Sequence, residues 1–231
     1  MDKLGCVGLV AGSGIDLTQV LDTVEERLPF AEFPGMPEGS VAGHAREFVI
    51  GRCGNTRVVV QCGRIHVYEG FDFEAVTAPV RAQRELGVDT IVFTNAAGGF
   101  NPVYPPASLL AIDRIVTWPF CRFTLPHEVT PDFTIPECDT SGTYFWMHGP
   151  CYETRAEVQA LKNLGAAAVG MSVAPELRCA QSLGMRGAVI SCITNICGAD
   201  EILAHDHVLD AAQVASPRLT RLIMTWLETL R

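Results

Sequence analysis

The stretch Val88-Asp89-Thr90-Ile91-Val92-Phe93-Thr94-Asn95-Ala96-Ala97-Gly98-Gly99 decides the fold. Its apolar run at 90–94 reads as a buried strand. The run stops at Asn95 and empties into four residues with almost no side chain, which read as a loop. Such a loop lets the backbone come within contact distance of a ligand. A strand that ends this way places a pocket at the carboxyl edge of an α/β sheet.

The same pattern recurs outward from this stretch. Residues 5–11 form an apolar strand that ends in Gly12-Ser13-Gly14, and residues 78–86 form a short helix stopped by Gly87. Residues 47–50 and 57–61 alternate around Cys53-Gly54-Asn55-Thr56, as a hairpin does. Thr154 and Glu157 match a capping box, and Val158, Leu161 and Leu164 form the apolar face of the helix it opens. Residues 166–171 and 188–194 read as two further buried strands. Ser216-Pro217 opens a final helix with Leu219, Leu222, Ile223, Trp226, Leu227 and Leu230 on one stripe. Alternating strands and helices predict an α/β domain with a largely parallel sheet. Residues 119–141, rich in Pro and Thr, break the pattern and read as an irregular excursion or lid.

A chain of 231 residues suits one domain, and 48% hydrophobic residues supply its core. The net charge of −9 and the lack of a basic block argue against nucleic acid as a partner. An anionic small ligand stays possible, because backbone amides and a few cations can hold it against the global field. Nine cysteines, none in a C-x-x-C pair, read as reduced thiols in a cytoplasmic protein. The start Met1-Asp2-Lys3-Leu4-Gly5 does not read as a signal peptide, and no apolar run reaches the ~18 residues of a membrane span. No metal-ligand spacing and no nucleophile elbow occur, so no metal is expected. Cys151 reads as a buried, inert thiol.

Chemistry gathers at a few sites. Gly12-Ser13-Gly14 offers amides and a hydroxyl to an anion, or is a tight turn only. In Gly63-Arg64-Ile65-His66-Val67-Tyr68-Glu69-Gly70, an extended backbone would aim Arg64, His66 and Tyr68 to one side. They would supply a planar donor fork, an imidazole and a phenol, or form the solvated face of an edge strand. His44, among small residues, is structural or functional. Tyr152 can stack on a flat ring, and Glu153 can accept from ring N–H groups or favour the dipole of the helix that follows. Ser172 is a helix N-cap or a hydroxyl donor to an anion. Asn195 both donates and accepts, as reading a purine edge requires. His205 and His207 lie on a helix beyond it, and nothing local chooses between them.

Taken together and in this order, these motifs resemble the trimeric class of purine nucleoside phosphorylases, from about Gly8 to Ala212. The resemblance implies residues 1–231 as a single three-layer domain, with a central mixed, largely parallel twisted sheet flanked by helices. It implies a phosphate site of Ser13, His44, Arg64, His66, the Ala96 amide and Ser172. Tyr68, Met171 and His205 would form the ribose site, and Ala97, Gly98, Tyr152, Glu153, Val169 and Asn195 the base site. His205 is taken over His207 because His205-Asp206-His207-Val208-Leu209 matches the family's His-acid-x-Val-Leu segment. His66, Glu153 and Asn195 would be the catalytic residues. Inorganic phosphate would be a co-substrate, with no cofactor, and the assembly a homotrimer. The 6-aminopurine relatives, the methylthioadenosine phosphorylases, carry Asp in place of Asn195 and Ser in place of Glu153. This chain is therefore expected to cleave inosine and guanosine. The alternatives are a phosphorylase of a 5′-modified nucleoside such as 5′-methylthioinosine, a weakened nucleoside or base binder, and a nucleoside hydrolase. The region at 118–141 is shorter than the family's. There an aromatic residue enters the neighbouring subunit's ribose site, and Trp118, Phe120 and Phe123 are its candidates here.

Overall fold

In a computed structural model, residues 5–37, 45–118, 125–198 and 205–230 are described, with 205 and 206 in backbone only. Chain order runs β1 (Cys6–Val10), β2 (Thr23–Pro29), β3 (Glu47–Cys53), β4 (Thr56–Cys62), α1 (Phe73–Glu85), β5 (Val88–Gly99), β6 (Leu109–Thr117), β7 (Glu128–Val129) and β8 (Thr140–Trp146). It continues through α2 (Arg155–Asn163), β9 (Ala168–Gly170), α3 (Ala174–Ser182), β10 (Arg186–Ile196) and α4 (His205–Thr229).

Alternation along the central strands sorts their side chains into two cores. Val7 and Leu9 of β1, Val58 and Val60 of β4, Val92 of β5 and Ile190 of β10 pack with Ala212, Leu219 and Ile223 of α4. Val10, Val59, Ile91, Phe93 and Val189 pack instead with Val80 of α1 and Leu177 of α3. Helices thus cover both faces of the sheet.

The strand order is β10-β6-β8-β9-β5-β1-β4-β3-β2, and β10 also pairs with β5. That pairing closes β10, β6, β8, β9 and β5 into a ring, which an open layered sheet does not contain. The sheet is mixed. Parallel pairs join β1 to β4 and β5, β5 to β10, and β8 to β6 and β9. Antiparallel pairs join β2 to β3, β3 to β4, β6 to β10 and β7, and β5 to β9. The hairpin and the ring's return strands supply the antiparallel share.

β5 corrects the reading of 95–99 as a loop. Its backbone stays in the ladder, with Asn95 opposite Ser191, and Gly98 between Asn195 and Val169. The small residues serve crowding within the sheet. A Cβ at Gly98 would lie 2.5 Å from Cys197 Sγ, and one at Gly99 2.8 Å from Ile193 Cγ2. Two helices begin earlier than expected. α1 starts at Phe73, where the Asp72 carboxylate accepts the Ala75 N–H at 2.8 Å, and it runs through Pro79. α4 starts at His205 and runs through Pro217, because buried Val208, Ala212 and Ala215 extend its stripe towards the N-terminus. Leu164, expected on the apolar face of α2, caps that helix and is 57% exposed. Within 119–141, the residues from 125 onward are irregular except for β7 and the start of β8.

Candidate active site

Several chain segments meet around one cavity of about 400 Å³. The β1 end and the β4–α1 connection face the β9–α3 connection and the carboxyl ends of β5 and β10. At the first of these, Gly12 crosses β5 so closely that a Cβ would lie 2.8 Å from Asn95 Cα. Its N–H donates to Thr94 Oγ1 at 3.2 Å, and the Thr94 hydroxyl donates to the Val10 carbonyl at 2.8 Å. This stitching sets Ser13 on the cavity wall.

Arg64 is almost fully buried. Its Nε lies 2.9 and 3.0 Å from the two carboxylate oxygens of buried Glu176, and its Nη1 donates to the Thr94 carbonyl at 3.1 Å. Nη2 is buried with no hydrogen-bond partner. A buried guanidinium nitrogen without an acceptor is costly unless a ligand supplies one. An oxyanion entering the cavity that Arg64 lines would do so.

The segment after Arg64 is not extended, as the alternation suggested. Glu69 Oε1 accepts the His66 N–H at 2.6 Å, and Val67–Glu69 curls into a 3-10 turn that ends at Gly70 with φ 93°. The turn brings the His66 and Tyr68 rings into a stack, 4.7 Å between centroids and 15° between planes, and both line the cavity. Burial opposes ionisation of Glu69, yet the hydrogen bonds and charge of His66 prevail and hold its carboxyl below the usual range. Burial pushes the Tyr68 phenol up to about 12, with Glu69 and Tyr152 adding to it. Tyr68 is therefore a neutral hydroxyl near pH 7.

Beyond β9, Met171 and Ser172 reach the cavity. Fully buried Tyr144 holds the backbone here, its hydroxyl donating to the Ser172 carbonyl at 3.3 Å and accepting the Ser172 N–H at 3.4 Å. Val173, not Ser172, occupies the N-cap position of α3. It does so at φ 66°, with its N–H donating to Glu176 Oε2 at 2.9 Å.

Tyr152, Glu153, Val169 and Asn195 line the same cavity, with Ala96, Ala97 and Gly98 of β5. Burial raises the Glu153 carboxyl and the Glu157 charge adds to this, against a hydrogen bond from its own backbone. Thr194 Oγ1 lies 3.2 Å from Asn195 Oδ1, and a bond there leaves the Asn195 amide nitrogen for a ligand. Gly149, at φ 73°, packs against Met171 and Tyr68: a Cβ there would lie 2.4 Å from Met171 Sδ and 2.9 Å from Tyr68 Cδ1. Glu157 keeps its structural part, its Oε2 accepting the Thr154 N–H at 2.7 Å.

Of the residues expected in the site, the cavity gathers all but two. His44 and the His205 side chain lie outside the described residues, as do Phe120 and Phe123. Trp118 packs against the cluster that contains Val116 and Met147. Asn95, Pro150, Gly170, Thr194 and Val208 also line the cavity and were not singled out. The polar end of the apolar run marked Asn95, whose Oδ1 accepts from Ser191 Oγ at 2.8 Å. Glu176 and Tyr144 carry no local signal, since their contacts exist only in three dimensions. Cys151 corrects its reading as buried, for it sits exposed on the loop ahead of α2. Burial pushes the thiols of Cys62, Cys192 and Cys197 up to about 12. Among the described residues, no group of three or more His, Cys, Asp or Glu side chains could hold a metal ion, and no helix is long and apolar enough to cross a membrane.

Arg64, Glu153 and Asn195 thus line one cavity on a ring-closed mixed sheet. Residues 7–228 match the family model of the phosphorylase superfamily; the chain belongs to that superfamily and is a pentosyltransferase. It is 33% identical to purine nucleoside phosphorylase 1 of Bacillus subtilis over 246 residues, covering 94% of this chain and 89% of that one. It is 32% identical to the purine nucleoside phosphorylase of Rattus norvegicus over 256 residues, covering 97% and 89%. Among solved structures, the Schistosoma mansoni purine nucleoside phosphorylase in complex with inosine is 25% identical, with a TM-score of 0.82, and the likeness covers 97% of this chain and 90% of that one.

Proposed function

We propose that this protein is a single-domain purine nucleoside phosphorylase that cleaves 6-oxopurine nucleosides, inosine and guanosine, to the free base and ribose 1-phosphate. One observation carries the reading. The cavity is lined by Arg64, whose buried Nη2 lacks a hydrogen-bond partner, and also by Glu153 and Asn195. The names of the relatives point the same way.

In this reading a phosphate oxygen forms the new bond to the anomeric carbon as the bond to the purine nitrogen breaks, and the electron pair leaves with the base. Arg64, His66, Ser13, Ser172 and the Ala96 amide hold phosphate beneath the sugar, which replaces an encounter from solution with a positioned one. The dianion also stabilises positive charge on the pentose. Tyr68 and Met171 flank the ribose. The Asn195 amide nitrogen stabilises the charge that grows on the purine, as a donor in an oxyanion hole does for an acyl group, while the Glu153 carboxylate accepts from a ring N–H. The Asn195 amide nitrogen donates to a 6-oxo group, whereas an ionised Asp there only accepts and suits a 6-amino group. No cofactor takes part, and three copies assemble.

An ultraviolet time course of inosine with and without phosphate tests the reading. Hypoxanthine release should need phosphate, and adenosine should be the poorer substrate by kcat/KM. Release without phosphate makes the protein a hydrolase, nucleoside affinity without turnover makes it a binder, and a preference for adenosine removes the Asn195 argument. Sedimentation equilibrium should give three times the monomer mass.

A further inference from the structure

We propose that Glu176 is a positioning residue for phosphate, one carboxylate that locks Arg64 and the Ser172 turn into a single anion cradle. The inference rests on the phosphorylase reading and adds a residue that touches no substrate. Arg64 comes from the β4–α1 connection and Glu176 from α3, 112 residues later. Both carboxylate oxygens take the Arg64 Nε, at 2.9 and 3.0 Å, while the Thr94 carbonyl takes Nη1 at 3.1 Å. A guanidinium held on these two sides cannot turn, and the nitrogen left over is Nη2.

The same carboxylate reaches the second element. Its Oε2 accepts the Val173 N–H at 2.9 Å. Val173 sits at φ 66°, which a β-branched residue rarely adopts, and it directly follows Ser172 on the cavity wall. The hydrogen bond offsets that strain and fixes where Ser172 points. The pairing fixes the direction of the Arg64 donors, and with it the place where phosphate sits, as a nucleophile that must approach one carbon requires.

Two substitutions test this. Glu176→Gln keeps the side-chain volume but turns one acceptor into a donor facing Arg64. Glu176→Asp keeps the charge but retreats by one methylene, too short for both partners. The KM for phosphate, the KM for inosine and the Kd for hypoxanthine are measured for each variant and the parent. Phosphate KM should rise at least tenfold in both variants, with inosine KM and hypoxanthine Kd within twofold of the parent. Phosphate KM unchanged in both variants overturns the proposal. So does a rise in hypoxanthine Kd in step with it, or failure of both variants to fold, since the carboxylate would then serve the fold at large. Should the parent not turn over inosine, the phosphorylase reading fails first. Equilibrium dialysis of radiolabelled phosphate against parent and variants then decides the part of Glu176 separately, by the same tenfold criterion.

Discussion

Removing the Arg64 guanidinium should harm stability as well as activity, and the two effects can be separated. The Arg64 and Glu176 side chains are 2% and 3% exposed, so Arg64→Met strands a carboxylate in the interior. Breaking one half of such a pair costs about 3–5 kcal/mol. For a chain of this size each kcal/mol moves Tm by about 2–4 °C, so Tm should fall by roughly 6–20 °C. The double variant Arg64→Met/Glu176→Leu removes both charges and leaves the Val173 N–H without its acceptor, a residual cost of about 1–3 kcal/mol. It should therefore unfold at a higher urea concentration than the single variant, yet remain as poor in phosphorolysis. Urea unfolding with an unchanged slope gives the stabilities. A single variant within about 1 kcal/mol of the parent, or a double variant less stable than the single, refutes a desolvated ion pair at this position.

Gly149→Ala must adopt φ 73° and pushes a methyl against Met171 and Tyr68, an overpacking of about 1–3 kcal/mol. Nucleoside KM should rise roughly tenfold with phosphate KM unchanged, as initial rates against each substrate will reveal. Glu157→Ala should cost about 1 kcal/mol of capping energy by thermal unfolding and leave kcat/KM within about twofold. In the proposed reaction, base recognition uses ionised Glu153, and burial raises its carboxyl above the ordinary 4.5. As pH falls through that raised value the acceptor is lost, so the acid limb of kcat/KM should lie above pH 4.5 and vanish in Glu153→Gln.

Much of the fold was legible because apolar alternation and caps are local signals. The β3–β4 hairpin and the Thr154–Glu157 cap stand where their residues place them. Ring closure was not legible, since the pairing of β5 with β10 depends on partners about a hundred residues apart. The small residues of 96–99 misled for the same reason: locally they look like a loop, while their crowding by Ile193 and Cys197 exists only after folding. Pro217 gave a false helix start because burial on either side outweighs one missing hydrogen bond. In the site, side chains that reach the cavity carried recognisable chemistry. Tyr144 and Glu176, which stand behind the wall, did not.

Closing one end of the sheet on itself leaves β2 as the long free margin among the described strands. Its residues are almost all exposed, and an open row of peptide groups invites another chain to add on. Here the row is spoiled. Glu25, Glu26 and Arg27 crowd it with charge, an irregular step falls between Val24 and Glu26, and Pro29 offers no N–H. Arg27 and Glu25 are also tied inward to Glu47 and Arg52 of the next strand. A concentrated solution of this protein should accordingly resist strand-to-strand aggregation, and neutral β-branched replacements at 25–27 would be the quickest way to make it form fibres.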